Sequence, residues 1–410
     1  MKNILYFIPR YDASAMGNTI HTEVLARWRE RGVASEVLTL AAGAPAYRQE
    51  TIDGVTIHRL PVSAGWPLKF ANRALNLVFH YPYLAGAAQT LRSFLAQRRY
   101  DLMHIETAFP LGFVASLVPP RGRPPLAITL PGADLMSEPE FDYGYGRFAA
   151  VRATFGRVFD AASVVRADSL QIADLAARLG ADRDQMRAIP YNITEDSYPP
   201  RGADLAAIRQ RSRAEVVERH GLNPARPIVV SLNRLHPFKG IAYLVEALPH
   251  LRAAGLNPQV LIVGPNRSTS RFGDYGAYMA SRAASLGVAD AVTFTGGVPH
   301  TQTFGYLAAA DAVVVASVAE SFSRVVIEAA AAGTPPVVTR TTGASDYVVQ
   351  ADCGVVVEPR SAESLGTALA ALLRDADRWQ TLSERCPPFA EQFRSQRIAD
   401  DLLDLYAPWL

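Results

Sequence analysis

Short runs of bulky apolar residues alternate with longer helical patterns along this chain, and the alternation starts over at Ala225. In the first half NILYFIP reads as a strand, and GNTIHTEVLARWRERG as a helix that Gly32 stops. SEVLTL, VTIHRLP, YDLMHIE, PLAITLPG, AASVVRAD and MRAIPYN follow as further strands. The second series opens with ARPIVVSLNRL and the helix GIAYLVEALPHLRAAG, closed by Gly255, and continues through PQVLIVG, AVTFTGG, DAVVVAS and PPVVTR. Strands that are apolar on both faces, with helices between them, predict a doubly wound parallel sheet. The restart predicts two such α/β domains facing a cleft. A chain of 410 residues is too long for one ordinary core and suits two. The expected boundaries are 1–195 and 196–385, with 386–410 a C-terminal helix packing back toward the first domain. The charged segment NITEDSYPPRGADLAAIRQRS, with Pro199-Pro200 and no strand character, marks the passage between the domains.

The chain is 49% hydrophobic and 20% charged, which excludes a disordered protein. A formal net charge of +2 gives no bulk case for nucleic acid. The two cysteines, Cys353 and Cys386, form no metal-ligand spacing and no disulfide framework, as expected of free thiols in a reducing cytoplasm. No apolar run is long enough to span a bilayer. The expectation is a cytoplasmic protein, soluble or lying on the inner membrane face.

The stretch VAESFSRVVIEAAAAGTPPVV carries the most chemistry. It predicts a loop and then a helix from near Phe322 to Ala332, with Gly333 as its stop and Ser321 or Ser323 as its N-cap. Glu320 then lies at the carboxyl end of a strand, and Glu328 one to two turns into the helix among apolar neighbours. A buried carboxylate persists only with partners: an arginine, backbone amides, or the paired hydroxyls of a vicinal diol. Arg324 and Arg340 are the candidate arginines, and the alternative reading of Glu320 is an exposed loop acid.

In SLNRLHPFKGIAYLVEAL, Arg234 and Lys239 bracket a strand-to-helix loop. A lysine at a helix start opposes the helix dipole unless an anion sits there, which is the pattern of a phosphate site. Arg234 would add a planar fork and Lys239 a point charge; the alternative is two solvated cations. GxxxxGK[ST] and GxGxxG are both absent, so neither a Walker-type loop nor a nicotinamide-binding fingerprint is present. Gly17 and Asn18 lie between the first strand and first helix, where a glycine lets backbone approach a ligand. Asp134 follows PLAITLPG, placed to orient a hydroxyl or act on an acceptor, or equally to cap a turn. Asp182/Asp184 and Asp375/Asp377 are Asp-x-Asp strings in polar surroundings away from strand ends, so no metal is expected. The stretch NRALNLVFHYPYLAGAAQTLRSFLAQRR mixes aromatics with arginines and fits a membrane or acceptor contact, or a core-facing helix with basic flanks.

Taken together, these motifs resemble glycosyltransferase family 4. The likeness rests on Glu320 and Glu328 with seven residues between them, followed by AAAAGTPPVVT and Gly343. It rests also on Arg234-Leu235 with Lys239-Gly240, and on VTFTGGV and DGVTIHRLP. The chain departs from the family pattern in three places. ESFS stands for EGFG, Pro131-Gly132-Ala133-Asp134 for a HGxD-like stretch, and Pro190-Tyr191-Asn192 for PNG. The resemblance implies a GT-B fold of two Rossmann-like domains and retaining, metal-independent transfer from a nucleotide diphosphate sugar, with no other cofactor. It implies that Arg234, Lys239 and the backbone at Gly17 and Asn18 meet the diphosphate, that Glu328 holds the ribose, and that Gly297 and Val298 meet the base. It implies that Glu320, with Ser321, Phe322 and Ser323, contacts the sugar. Asp134 stands on the acceptor side. The acceptor would be a saccharide, a lipid-linked hydroxyl or a small molecule. A nucleotide-sugar epimerase and a silent sugar-nucleotide-binding module are the competing readings.

Overall fold

Eight strands form the sheet of the first unit: β1 (Asn3–Phe7), β2 (Ala34–Ala41), β3 (Arg48–Ile52), β4 (Val55–Pro61), β5 (Leu102–Glu106), β6 (Leu126–Leu130), β7 (Val164–Ala167) and β8 (Met186–Ala188). Their order is β3-β4-β2-β1-β5-β6-β7-β8. The computed structural model describes residues 2–12, 18–42, 44–62, 66–269 and 271–410. Every pairing in this sheet is parallel except β3 with β4. The parallel strands are buried runs such as LMHIE and LAITL, as sheets covered on both faces require. β3 (RQETI) departs from the expected all-parallel sheet. It is polar and mostly exposed, so it lacks the apolar signature of the others. Asp53 and Gly54 turn it into β4 with φ of 51° and 73°, the positive pair that a two-residue hairpin of type I′ demands.

Helix α1 (Thr19–Glu30) buries Ile20, Val24, Leu25 and Trp28 at helical spacing, and Gly32 ends it at φ 78°. Helices α2 (Trp66–Phe79) and α3 (Leu84–Leu95) pack on each other between β4 and β5.

The second unit has six parallel strands: β9 (Ile228–Leu232), β10 (Gln259–Val263), β11 (Val292–Gly296), β12 (Ala312–Val315), β13 (Pro336–Thr339) and β14 (Val355–Val357), ordered β11-β10-β9-β12-β13-β14. From β9 the chain winds one way through β10 and β11. It then crosses to the other side of β9 and winds through β12, β13 and β14. The reversal falls between β9 and β12, and open α/β sheets bind ligands at such a switch point. Helix α4 (Ile241–Ala253) follows β9, α5 (His300–Ala309) follows β11, and α6 (Arg324–Ala331) follows β12.

The units comprise Met1–Tyr191 with Ser395–Leu410, and Asn192–Arg394. The chain thus leaves the first unit at 191/192 where the sequence suggested 195/196, and returns at 394/395 where it suggested 385/386. The second shift has a packing cause. Helix α7 (Ala376–Ala390) and Phe393 belong to the second unit's core, where Cys386, Phe389 and Phe393 pack with Phe322 and Val326. Only α8 (Ser395–Tyr406) joins the first unit, burying Ile398, Ala399, Leu402 and Tyr406 against Tyr6, Trp28 and Val37. Trp28 Nε1 donates to the Ala399 carbonyl at 3.1 Å.

Candidate functional site

The loop after β9 carries Arg234, and its shape is set by two neighbouring loops. Asn233 N donates to the Val263 carbonyl at 2.9 Å and Leu235 N to the Pro265 carbonyl at 3.0 Å. Gly264 makes that approach possible: a Cβ there would collide with the Asn233 carbonyl. Arg234 is exposed and has no carboxylate partner among the described residues.

Lys239 closes a 3₁₀ turn (Pro237–Lys239), and Gly240, at φ 67°, starts α4. A side chain at Gly240 would run into the Ala316 carbonyl beyond β12. Phe238 O accepts from Val318 N at 2.8 Å, so the β9 and β12 loops are bound together across the switch point. An anion does sit beside Lys239: its ammonium pairs with the carboxylate of Glu320. Both side chains are largely buried, and Ser317 Oγ donates to the same carboxylate at 3.2 Å. Glu320 is therefore not the exposed loop acid that it resembles in isolation. Its backbone is fixed by Glu320 N donating to Thr341 O (3.2 Å) and Gly343 N donating to Glu320 O (3.0 Å). Thr339 and Thr341 lock the same corner by donating their hydroxyls to the Ser317 carbonyl at 2.6 and 2.9 Å. Ser317, Thr339 and Thr341 went unnoticed in the sequence, although TRTTG directly after a strand is the available signal.

Helix α6 begins two residues later than the sequence suggests. Ser323 occupies the N-cap position, but its side chain makes no cap hydrogen bond and its backbone is left-handed, with φ 78°. The expected serine cap is thereby corrected: the peptide before α6 is bent so that Oγ does not reach the helix amides. This is the position where the family pattern has glycine, the residue that enters the left-handed region without steric cost. Phe322 turns inward against Tyr347 and Phe393, so only its backbone is available to a ligand. Its carbonyl accepts from Ala344 N at 2.9 Å. Ser321 and Ser323 are half-buried.

Glu328, the fifth residue of α6, is only 5% exposed. No hydrogen bond or ion pair reaches its carboxylate among the described residues. Arg340 is spent on Glu358 at 2.8 Å, which removes one of the two candidate arginines. Burial pushes the Glu328 pKa up, the charges of Arg324 and His300 partly offset this, and Asp196 adds to it. His300, the first residue of α5, bonds Thr194 Oγ1 at 3.0 Å and lies 3.5 Å from Asp196. Gly297 and Val298 lead into that helix, and Gly296 O accepts from Gly264 N at 2.9 Å. Thr194, Asp196 and His300 are further members of the region that the sequence did not reveal.

Arg234, Lys239, Glu320, Ser321, Ser323, Glu328, Gly297 and Val298 thus all follow the carboxyl ends of β9, β11 or β12, on one edge of one sheet. That edge offers a free guanidinium, a lysine–glutamate pair, a bent backbone and an unpaired buried acid. The four aspartates of the two Asp-x-Asp strings are exposed.

The remaining candidates lie in the first unit. Gly17 falls outside the described residues. Asn18 precedes α1 and is buried, with Nδ2 donating to the Asp12 carbonyl at 2.7 Å. Asp134 is 1% exposed. Its Oδ2 accepts from Ala108 N at 2.5 Å, while Oδ1 has no hydrogen-bond partner among the described residues. Burial pushes its pKa up to about 7 against the pull of surrounding amides.

A doubly wound parallel sheet with cations and a recessed acid flanking its switch point, joined to a second α/β unit, is the architecture of the GT-B class. Comparison with known proteins makes the assignment specific. The model of "Glycosyl transferase 4-like domain" matches residues 17–192 and that of "Glycosyl transferases group 1" matches 212–388. The chain belongs to family 4 of the glycosyltransferases. It is 30% identical over 297 residues to a GDP-mannose-dependent alpha-(1-6)-phosphatidylinositol monomannoside mannosyltransferase of Mycobacterium tuberculosis, covering 70% of each chain. It is 36% identical over 231 residues to a D-inositol 3-phosphate glycosyltransferase of Nocardia farcinica, covering 56% of this chain and about half (48%) of that relative. Anabaena HepE, solved in complex with UDP, superposes over the whole of both chains with a TM-score of 0.72 at 20% identity.

Proposed function

We propose that this protein transfers a glycosyl group from a nucleoside diphosphate sugar to a hydroxyl acceptor, with retention of anomeric configuration and without a metal ion. The observation that carries the reading is the pairing of free and paired cations with an unsatisfied buried acid at the switch point. Arg234 and Lys239 hold the diphosphate, aided by the amino end of α4. Glu328 accepts the two ribose hydroxyls, which supply the hydrogen bonds its carboxylate lacks. The backbone at Gly297 and Val298 meets the base. Glu320, Ser321 and Ser323 contact the donor sugar, with the Phe322 backbone beside them.

In the transfer, the bond between the anomeric carbon and the β-phosphate oxygen breaks and its electron pair stays on the diphosphate. Arg234 and Lys239 stabilise the charge that builds there, as a divalent cation would in other enzymes. Lys239 is paired with Glu320. A diphosphate brings more negative charge than one carboxylate, so Lys239 turns to it and frees Glu320 for the sugar. The acceptor oxygen bonds to the anomeric carbon on the face the diphosphate leaves, and its proton passes to the departing phosphate oxygen. The family resemblance assigns Asp134 to the acceptor and Gly17 and Asn18 to donor binding. The family resemblance supports retention. The acceptor is a hydroxyl of a saccharide, a lipid-linked glycan or a small polyol, in keeping with the names of the relatives above; nucleic acid plays no part. The protein works in the cytoplasm, with peripheral contact at the inner membrane face.

Thermal shift with UDP, GDP and their sugars tests the donor assignment. At least one should raise the melting temperature by mass action. Arg234→Ala and Lys239→Ala should each lower turnover about 100-fold, equivalent to ~2.7 kcal/mol. Unchanged turnover in both would remove the diphosphate from this edge. NMR of the donor alone separates transfer from epimerisation, because an epimerase converts the donor sugar with no acceptor present.

A further inference from the structure

The loop after β9 holds a third polar side chain between its two cations. His236 lies in an extended stretch: its φ and ψ are −143° and 143°, and Leu235 makes a parallel bridge to Asn266. Successive side chains of an extended chain point to opposite sides. Leu235, at 3% exposure, turns into the core, so Arg234 and His236 stand together on the other side. The placement is fixed on the far side too, because the His236 carbonyl accepts from Lys239 N at 2.9 Å and so closes the 3₁₀ turn. The Phe238 ring supports both neighbours: its centroid is 4.7 Å from that of the imidazole and 4.9 Å from Lys239 Nζ.

The two imidazole nitrogens have different surroundings. Nδ1 is buried and has no hydrogen-bond partner among the described residues. Nε2 is not closed off in this way, and it too makes no hydrogen bond among the described residues. A buried N–H without an acceptor is rarer in proteins than a buried acceptor without a donor. The ring proton therefore belongs on Nε2, the nitrogen that a ligand can reach. A second proton would create an orphaned N–H at Nδ1. It would also set a third positive charge beside Arg234 and Lys239, the charged groups acting on the ring, with Glu320 paired to Lys239. Burial, Arg234 and Lys239 all push the His236 pKa down.

We infer that His236 binds the donor diphosphate through a neutral Nε2–H hydrogen bond, between the charged contacts of Arg234 and Lys239. The inference rests on the proposed seat of the diphosphate at this loop and adds a directional contact that brings no further charge to it. The two cations supply the attraction. The imidazole, held by a rigid backbone, supplies orientation.

Calorimetry with UDP-glucose and GDP-mannose over a pH series tests this. In both ligands the diphosphate is a diester that stays ionised where histidine titrates, from about pH 5 to 8. His236→Ala should weaken binding of whichever ligand wild type takes by about tenfold at neutral pH. His236→Leu, similar in bulk but unable to donate, should bind as weakly as His236→Ala. His236→Gln, whose amide donates without charge, should recover most of that loss. The affinities of wild type and His236→Gln should run parallel across the pH series, because the other titratable groups of this edge, Glu328 and His300, are common to both. A wild-type affinity that falls about tenfold on raising the pH through this range, while that of His236→Gln stays level, would make His236 a third cation and overturn the neutral donor. Binding by His236→Leu equal to that of wild type would remove the contact altogether. If Arg234→Ala still weakens binding in that case, the diphosphate site stands and the His236 contact alone falls. If wild type takes neither ligand, the donor reading and this inference fall together.

Discussion

Two glutamates are almost equally buried, Glu106 in the first unit at 3% exposure and Glu328 in the second at 5%, and their surroundings are opposite. Glu106 takes a hydrogen bond from Tyr6 at 2.6 Å and another from Tyr191, and lies 3.3 Å from His104. The buried guanidinium of Arg166 stacks on Tyr191 at 4.4 Å and donates to the carbonyls of Ile189 and Pro190. Tyr406 OH lies 2.9 Å from His104 Nδ1, so the network also fastens α8. Burial alone would raise the Glu106 pKa. The His104 hydrogen bond and the charges of His21, His104 and Arg166 outweigh that and hold it well below the usual carboxylate range. Glu328 has no such partners, and burial wins. A closed network has structural work only, whereas an acid left open at a switch point is prepared for a ligand that brings the missing donors.

The largest effect should come from breaking the closed side. Glu106→Gln leaves Arg166 charged, buried and uncompensated, and should cost about 3–5 kcal/mol of stability in urea unfolding. The second unit's nucleotide affinity should be untouched. A loss below about 1 kcal/mol would mean that the network is not the clamp described here.

Glu328→Gln should invert that pattern. It should lower nucleotide affinity by about 1.5–3 kcal/mol in calorimetry, the range for hydrogen bonds to a charged group. Stability at neutral pH should rise, because no charge then has to be held in a buried site. The pH dependences of the two acids have opposite signs. Glu328 has a raised folded pKa, so the folded protein binds more protons than the unfolded one from about pH 4 up to that value. Its contribution to stability therefore falls as pH rises through this window. Glu106 has a depressed folded pKa, so its stabilisation is present above the ordinary carboxylate range and is lost as pH falls through the folded value. Melting curves of wild type and Glu328→Gln should coincide in acid and separate as pH rises. Curves of wild type and Glu106→Gln should be far apart at pH 7 and converge in strong acid. Asp134, at about 7, shifts wild type and both variants alike and leaves these differences intact.

This contrast was half legible in the sequence. Glu328 stood out because its apolar neighbours and helical register dictate its burial. The parallel sheet was implied by the second series of strands, since helices between strands force parallel winding, but the strand order that places the switch point between β9 and β12 was not. Glu106 ended a strand reading, YDLMHIE, and attracted no notice. Its partners Tyr6, His104, Arg166, Tyr191 and Tyr406 are scattered over β1, β5, β7, the end of the first unit and α8, and no local period relates them. The Lys239–Glu320 pair was hidden for the same reason: the sequence set both residues at the ligand edge but could not show that each would neutralise the other. β3 was overlooked because an exposed edge strand carries no apolar run, although the Asp53-Gly54 turn announced it.

The smallest effect should sharpen the comparison at Ser323. The second unit keeps a strained non-glycine residue at φ 78° where α6 begins, and its hydroxyl caps nothing. Holding such a conformation costs on the order of 1 kcal/mol. Ser323→Gly should recover about that much, a gain of about 2–4 °C in melting temperature for a unit of this size. Ser323→Ala should recover nothing, because alanine keeps the Cβ that makes the conformation costly. The binding measurement then separates strain from recognition. If the hydroxyl contacts the donor sugar, both substitutions should weaken nucleotide-sugar binding and leave binding of the bare nucleotide unchanged. If both bind the sugar nucleotide as wild type does, Ser323 is a cost without a contact, and sugar recognition at this edge falls to Glu320, Ser321 and the Phe322 backbone.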